Sequence, residues 1–250
     1  MAVELHAVPT LASQPSTSYY CQKLDTYLRA VGYADYTLSA DLPHNGPKGK
    51  VPWVVSPSGE WLPDSYFILR RLLADGTIRD VDVDAGLSPA ARADARAWVC
   101  QVYELIYPTT LCERFLVPAN FAQFSAQVFD GVIPWLIRGP IVWYVGRSGR
   151  VNLWGQGVAR HSEQEREMIL AEFVGNAVAR MGKEGYLFGA EPCSADVALY
   201  AWCANCLQTQ GNPHVKAQIL ASERLKEYIG ALTERWFPEY VELLQLVQEK

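Results

Sequence analysis

Apolar positions along this chain follow two rhythms, a mixed one up to about residue 75 and a helical one after it. Val3 to Val8 alternates and predicts a first strand ending at Pro9. From Tyr20 to Val31, Leu24, Tyr27, Leu28 and Val31 recur at helical spacing, with Gly32 at the stop. Tyr36-Thr37-Leu38 predicts a short strand, and Asp41 to Lys50 is too rich in Pro and Gly for a helix. Val51 to Val55 and Gly59 to Leu62 predict a hairpin around Pro57-Ser58-Gly59. Asp64 to Ala74 predicts a helix with Phe67, Ile68, Leu72 and Leu73 on its buried side, so this part reads β-α-β-β-β-α. Asp75 to Leu87, with only Ile78, Val81 and Val83 as isolated bulky apolar residues, predicts a linker. Beyond Ser88 the pattern is helical: Pro89 to Tyr107, Cys112 to about Val145 with interruptions, Ser162 to Met181, Ala195 to Gln208, Glu223 to Arg235 and Tyr240 to Gln248. The second part is expected to be all-α.

Composition narrows the class. Half of the 250 residues are apolar and 20% are charged, which fits a globular chain. A net charge of -5 without a Lys/Arg run argues against nucleic acid, because counterion release needs clustered cations. Small molecules or proteins are the expected partners. Met1 to Leu11 contains Glu4 and no basic region, so neither a secretory signal nor a transit peptide is expected. The most apolar stretch, Val128 to Val145, is interrupted by Asp130, Arg138 and Gly/Pro breaks that disqualify it as a membrane span. Six Cys without a closely spaced framework suit a reducing, cytoplasmic compartment.

Three segments carry candidate chemistry. Ser18 lies where a loop turns into the first helix, where free N–H groups and the helix dipole stabilise a thiolate. Its hydroxyl is the first candidate to hydrogen-bond a ligand sulfur, and an ordinary N-cap is the plainer reading. Tyr19, Tyr20 and Cys21 remain alternatives, with Cys21 also readable as core. Val51-Pro52 opens a strand with a residue that lacks a donor, which a cis bond explains; Val51 N–H and C=O would then pair with an extended peptide. Asp64-Ser65 opens a helix where a carboxylate can be accepted and an ammonium paired, and Lys48 and Lys50 add positive charge nearby.

Together these segments resemble the amino-terminal domain of glutathione S-transferases over the first 75 residues. More narrowly, Ser18, Cys21, Lys23, Asp25, Tyr27 and Leu28 at their spacing, with Pro47-Lys48-Gly49-Lys50-Val51-Pro52, resemble the metaxin-like branch that includes the failed-axon-connections proteins. Gly155-Gln156-Gly157 followed by Arg160-His161-Ser162 and Glu165 is similar to a stretch of that branch. Tyr186-Leu187-Phe188-Gly189 with Ala195-Asp196 resembles the end of the transferase helical domain. Two positions depart from the pattern: Cys193 stands where Thr or Ser usually caps the helix before Asp196, and Tyr19 stands where Pro is common, which implies a weaker cap and a less rigid loop.

The resemblance implies an α/β plus all-α fold: a thioredoxin-like domain with a mixed sheet over 1–76, a linker over 77–87, and a transferase-type all-helical domain over 88–250. It implies a cytoplasmic detoxifying enzyme, with glutathione as co-substrate held by Lys50, Val51, Pro52, Asp64 and Ser65. Ser18, or else Tyr19, Tyr20 or Cys21, would activate the thiol for attack on a small hydrophobic electrophile or for a thiol-dependent reduction. The electrophile would lie against the aromatic-rich helical half, where Arg160 and His161 are possible cleft residues. A homodimer is possible by analogy, and a non-catalytic adaptor that keeps the fold for protein binding is the alternative. Ser162 to Glu165 also reads as a capping box. Cys203-Ala204-Asn205-Cys206 falls inside an apolar helix and reads as buried structural thiols, and four scattered His give no metal site.

Overall fold

A computed structural model describes residues 2–56, 58–181 and 185–249. The first part contains β1 (Val3–Ala7), α1 (Tyr19–Ala30), β2 (Tyr36–Ala40), β3 (Trp53–Val55), β4 (Trp61–Pro63) and α2 (Ser65–Ala74), in the expected order. The sheet is mixed, ordered β2-β1-β3-β4. β1 runs parallel to β2 with Leu5 opposite Leu38, and antiparallel to β3, which pairs antiparallel with β4. Val3 and Leu5 point into the core, as the alternation predicts. Pro57, in the expected hairpin turn, lies outside the described residues.

Helix α1 is buried far beyond its apolar stripe. Gln22, Lys23, Asp25 and Thr26 are buried together with Leu24, Tyr27 and Leu28. A second layer explains this, because α1 packs along α9 (Ser194–Gln208) of the helical half. On α2 the buried residues are Ser65, Ile68 and Leu72, while Leu73 is half-buried. Phe67 corrects the sequence expectation: it is 57% exposed, because it lies about 100° round the helix from Ile68.

The linker is a structured connection. Ile78 and Val81 are buried, and α3 (Val81–Asp84) starts from a cap by Asp80. Asp82 accepts from Ser194 N–H at 2.7 Å and from its hydroxyl at 2.9 Å, tying the connection to the start of α9. That α9 start is held in place despite Cys193, since Asp196 accepts from the N–H groups of Cys193 and Leu187, each at 3.0 Å, and from Tyr228 hydroxyl at 3.0 Å.

The helical half comprises α4 (Pro89–Gln101), α5 (Tyr107–Leu116), α6 (Pro118–Phe129), α7 (Trp135–Gln156), α8 (Glu163–Arg180), α9, α10 (Pro213–Leu220), α11 (Glu223–Trp236) and α12 (Val241–Gln248). Three features depart from the pattern reading. A π-helical segment, Val102–Ile106, carries α4 on into α5, α7 extends past Val145 to Gln156, and α10 is an additional helix. Ala195 to Leu207 of α9 are all buried, so this apolar-all-round helix forms the axis of the core. Buried Arg114 reaches Asn205 and Asn212 Oδ1, each at 3.3 Å, and Asn205 donates to Ser16 C=O at 2.8 Å, joining α5, α9 and the loop before α1.

Candidate functional site

The two halves meet along a cleft of about 450 Å³, within the ~300–1,000 Å³ range of small-molecule sites. Three of its walls are the segments singled out from the sequence. Val51–Pro52 is cis and precedes β3, with Val51 outside the strand register. Lys48 and Lys50 project from a loop closed by Gly49 N–H donating to Gly46 C=O at 2.8 Å. Gly46 is required there, since a Cβ would fall 2.3 Å from Lys50 carbonyl oxygen and 2.9 Å from the Trp53 ring.

Asp64 and Ser65 form the next wall. Asp64 caps α2 by accepting from Tyr66 N–H at 2.9 Å, and is the one non-glycine residue with positive φ among the described residues, at 76°. Such backbone costs free energy and is typical of positions where a ligand is held. Ser65 is buried, its Oγ 3.1 Å from Tyr103 hydroxyl.

The helical half supplies Arg96, Tyr103 and Glu104. Arg96 lies 4.3 Å over the Tyr66 ring. Tyr103 and Glu104 belong to the π-helical segment, a feature frequent at functional sites. In α-helical register residue 108 would donate to Glu104 C=O, but Pro108 has no N–H. Gln156 Nε2 donates to that carbonyl instead, at 2.6 Å, and Gln156 Oε1 accepts from Val158 N–H at 3.0 Å. The Gly-Gln-Gly motif therefore braces the segment carrying two cleft residues. Arg96 and Glu104 escaped the sequence reading because they lie far along the chain from the other walls. Pro108 four residues after Glu104 was the available signal.

Among the residues at the start of α1, Tyr20 lines the cleft and Ser18 does not. Ser18 is the N-cap, its Oγ accepting from Cys21 N–H at 3.5 Å. With Tyr19 in place of a proline, the loop before Ser18 is tied down by hydrogen bonds, as Ser16 N–H donates to Gln22 Oε1 at 2.7 Å and Ser18 N–H to Ser16 Oγ at 3.2 Å. Tyr19 is fully buried, and its hydroxyl has no hydrogen-bond partner among the described residues. Burial pushes the Cys21 thiol up to about 11, against the lowering effect of hydrogen bonds from Ser18 and Val8. The Tyr20 phenol is also held above its ordinary value, by burial first and then by Tyr107, Glu104 and Asp64. It stays protonated and is able to donate.

Behind the cleft, Lys23 is buried with its Nζ 3.9 Å from the centre of the Tyr103 ring. Burial, with Arg96 adding and Asp64 opposing, brings its ammonium down to about 7. Arg160 and His161 do not line the cleft, contrary to expectation. Both are exposed, Arg160 donating to Trp154 C=O at 3.2 Å and stacking on that indole, because the end of α7 turns them onto the outer surface. Ser162 and Glu165 do form the capping box, with bonds of 3.2 and 2.7 Å.

Five of the six thiols, Cys21, Cys112, Cys193, Cys203 and Cys206, are buried, and Cys100 is half-buried. Burial raises the Cys203 and Cys206 thiols well above their ordinary value, consistent with structural residues. On the outer surface, Glu163, Glu167 and His214 bring donor atoms within 4.8 Å of one another, a grouping hidden in sequence because His214 belongs to another helix.

A family model described as the glutathione S-transferase N-terminal domain matches residues 19–120. Failed axon connections from Drosophila melanogaster is 21% identical over 244 residues, covering 92% of this chain and 56% of that protein, so the chain spans about half the length of this relative. Among solved structures, a glutathione S-transferase III in apo form matches with a TM-score of 0.59 at 16% identity, covering 100% of this chain and 99% of the other. A glutathione S-transferase from Rhodospirillum rubrum matches at 0.57 and 16%, covering 99% and 93%. A rice transferase in complex with glutathione matches at 0.56 and 15%, covering 97% and 90%.

Proposed function

Because this chain has the glutathione S-transferase fold and resembles the failed-axon-connections branch of that superfamily, we propose that it binds glutathione in the cleft and activates its thiol. The observation that carries this reading is the convergence of cis Val51–Pro52, the Asp64–Ser65 start of α2 and the Tyr20 hydroxyl on one cavity. In this reading Val51 backbone groups pair with the cysteinyl residue like an added strand. Ser65 and the N-terminus of α2 accept the γ-glutamyl carboxylate, Asp64 pairs with its ammonium, and Lys48 and Lys50 face the remaining negative charge.

In this reading Tyr20, the residue at the start of α1 that lines the cleft, donates its hydroxyl to the sulfur. A hydrogen bond to the thiolate lowers the thiol pKa and raises the nucleophilic fraction near neutral pH. The sulfur then attacks an electrophilic carbon, forming the C–S bond as the leaving group departs or the π electrons shift. A detoxifying role in the cytoplasm belongs to this proposal. The second reading, a fold kept for protein binding without turnover, draws support from Ser18, which serves as a cap outside the cleft.

Calorimetric titration with glutathione separates the two. Native protein is expected to bind in the micromolar-to-millimolar range, and Ser65→Ala to weaken binding at least tenfold, since a lost hydrogen bond to a charged group is worth about 1.5–3 kcal/mol. No heat from the native protein would leave the adaptor reading.

A further inference from the structure

Helix α7 is built inside out. Its packed side carries glycines: a Cβ on Gly146 would fall 2.8 Å from the Phe121 ring and one on Gly149 2.4 Å from the Phe115 ring, so both phenyl groups lie against bare backbone. Leu153 is the one large side chain of α7 among its buried residues. The bulk points outward, where Leu136, Ile137, Trp143, Tyr144, Val151 and Trp154 are each more than half exposed. At ~100° per residue, Leu136, Trp143, Tyr144, Val151 and Trp154 share one side of the helix, away from Leu153. From Leu136 to Trp154 that side is about 27 Å long at 1.5 Å per residue.

Charge on this helix is of one sign. Arg138, Arg147 and Arg150 stand in α7 without an Asp or Glu, in a chain whose net charge is -5. Arg138 pairs with Asp130 at the helix start. Arg147 and Arg150 are exposed and form no ion pair among the described residues; Arg147 falls within the apolar stripe, and Arg150 lies at its edge with its guanidinium over Gly146. Contiguous apolar surface of this kind marks an interaction site, and the unpaired cations select an anionic counterpart.

We propose that this side of α7 docks on an anionic lipid bilayer, lying in the plane of the interface. Trp and Tyr side chains favour the headgroup level, Leu and Val reach the acyl boundary, and arginines extend to lipid phosphates while their stems stay in apolar surroundings. A second copy of the chain is a poorer occupant, because a two-fold interface along this stripe would set the arginine-rich face against itself. No helix among the described residues is long and apolar enough to cross a membrane, so α7 rests on the surface without spanning it. The docking side shares no residue with the cleft lining and does not depend on glutathione.

The test is flotation of the full chain with vesicles of phosphatidylcholine alone and of phosphatidylcholine with phosphatidylserine, alongside tryptophan emission. Binding to the anionic vesicles with a blue-shifted emission is expected, weakening as salt is raised. Trp143→Ser with Trp154→Ser should abolish it. Arg147→Gln and Arg150→Gln, which change only exposed polar groups, should each lower partitioning about fivefold. Absence of binding to either vesicle, or equal binding to both, would overturn the proposal. So would a monomer–dimer equilibrium in sedimentation velocity that Trp143→Ser abolishes while vesicles stay unbound, which would assign the face to a second copy. Circular dichroism of each variant distinguishes lost docking from lost fold.

Discussion

Tyr20 and Ser18 are two residues apart at the start of α1 yet meet different surroundings, and substitutions separate their roles. Ser18→Ala should lower stability by about 0.5–1 kcal/mol through the lost cap and leave glutathione binding intact. Tyr20→Phe should keep stability and raise the pKa of bound glutathione thiol, read from thiolate absorbance against pH; an unchanged pKa would exclude the phenol as the donor. Lys23 gives a second test with a definite sign. Its folded value of about 7 lies below the ~10.4 of an exposed lysine, so between these the unfolded chain holds the extra proton. Burial of the ammonium therefore costs most below pH ~7, and the cost disappears as pH rises towards ~10.4. Lys23→Met should be more stable than the native protein by roughly 1–3 kcal/mol at pH 6, with the difference shrinking at pH 9 in urea titrations. Comparison with the variant at each pH removes the opposite contribution of the buried thiols and phenols, which lose protons more readily when unfolded.

Single elements explain what the pattern of the chain could and could not reveal. The π-helical turn holds Tyr103 and Glu104 in the cleft, and Gln156 donates to the carbonyl left by Pro108. Gln156→Leu should cost about 0.5–1.5 kcal/mol of stability through the lost exposed hydrogen bond, and should weaken glutathione binding without touching the ligand. Calorimetry and thermal melts on one preparation measure both; an unchanged affinity would confine Gln156 to stability. β1, α1, β2 and the β3–β4 hairpin were legible because alternation and helical spacing are local signals. The buried polar residues of α1 were hidden, since their burial depends on α9, more than 160 positions later. Phe67 was misplaced by hydrophobicity alone, which says nothing about which of two neighbouring apolar residues faces the sheet. The α7 extension was concealed by Gly149 and Gly155, usually breakers, though at Gly149 absence of a side chain is what packing against Phe115 demands.

At the scale of the whole molecule, the cleft walls supplied by α4 and the π-helical segment exist only when the two halves are docked. Three walls were readable as motifs, because each is a short run whose backbone geometry is set locally. Arg96 and Glu104 were not, because their position is a property of the docking, fixed in part by the bonds of Asp82 to Ser194 at the start of α9 and by the Arg114, Asn205 and Ser16 chain of bonds. The sealing of five thiols throughout this joined core turns the cysteines into a built-in clock. A brief pulse of alkylating reagent should add one label at once, at Cys100, and the other five only as fast as the structure opens. If Cys21 becomes labelled before Cys203 and Cys206, the sheet half opens on its own. If all five appear together, the two halves exist only as a pair, and mass spectrometry of the labelled chain reads which history each molecule has had.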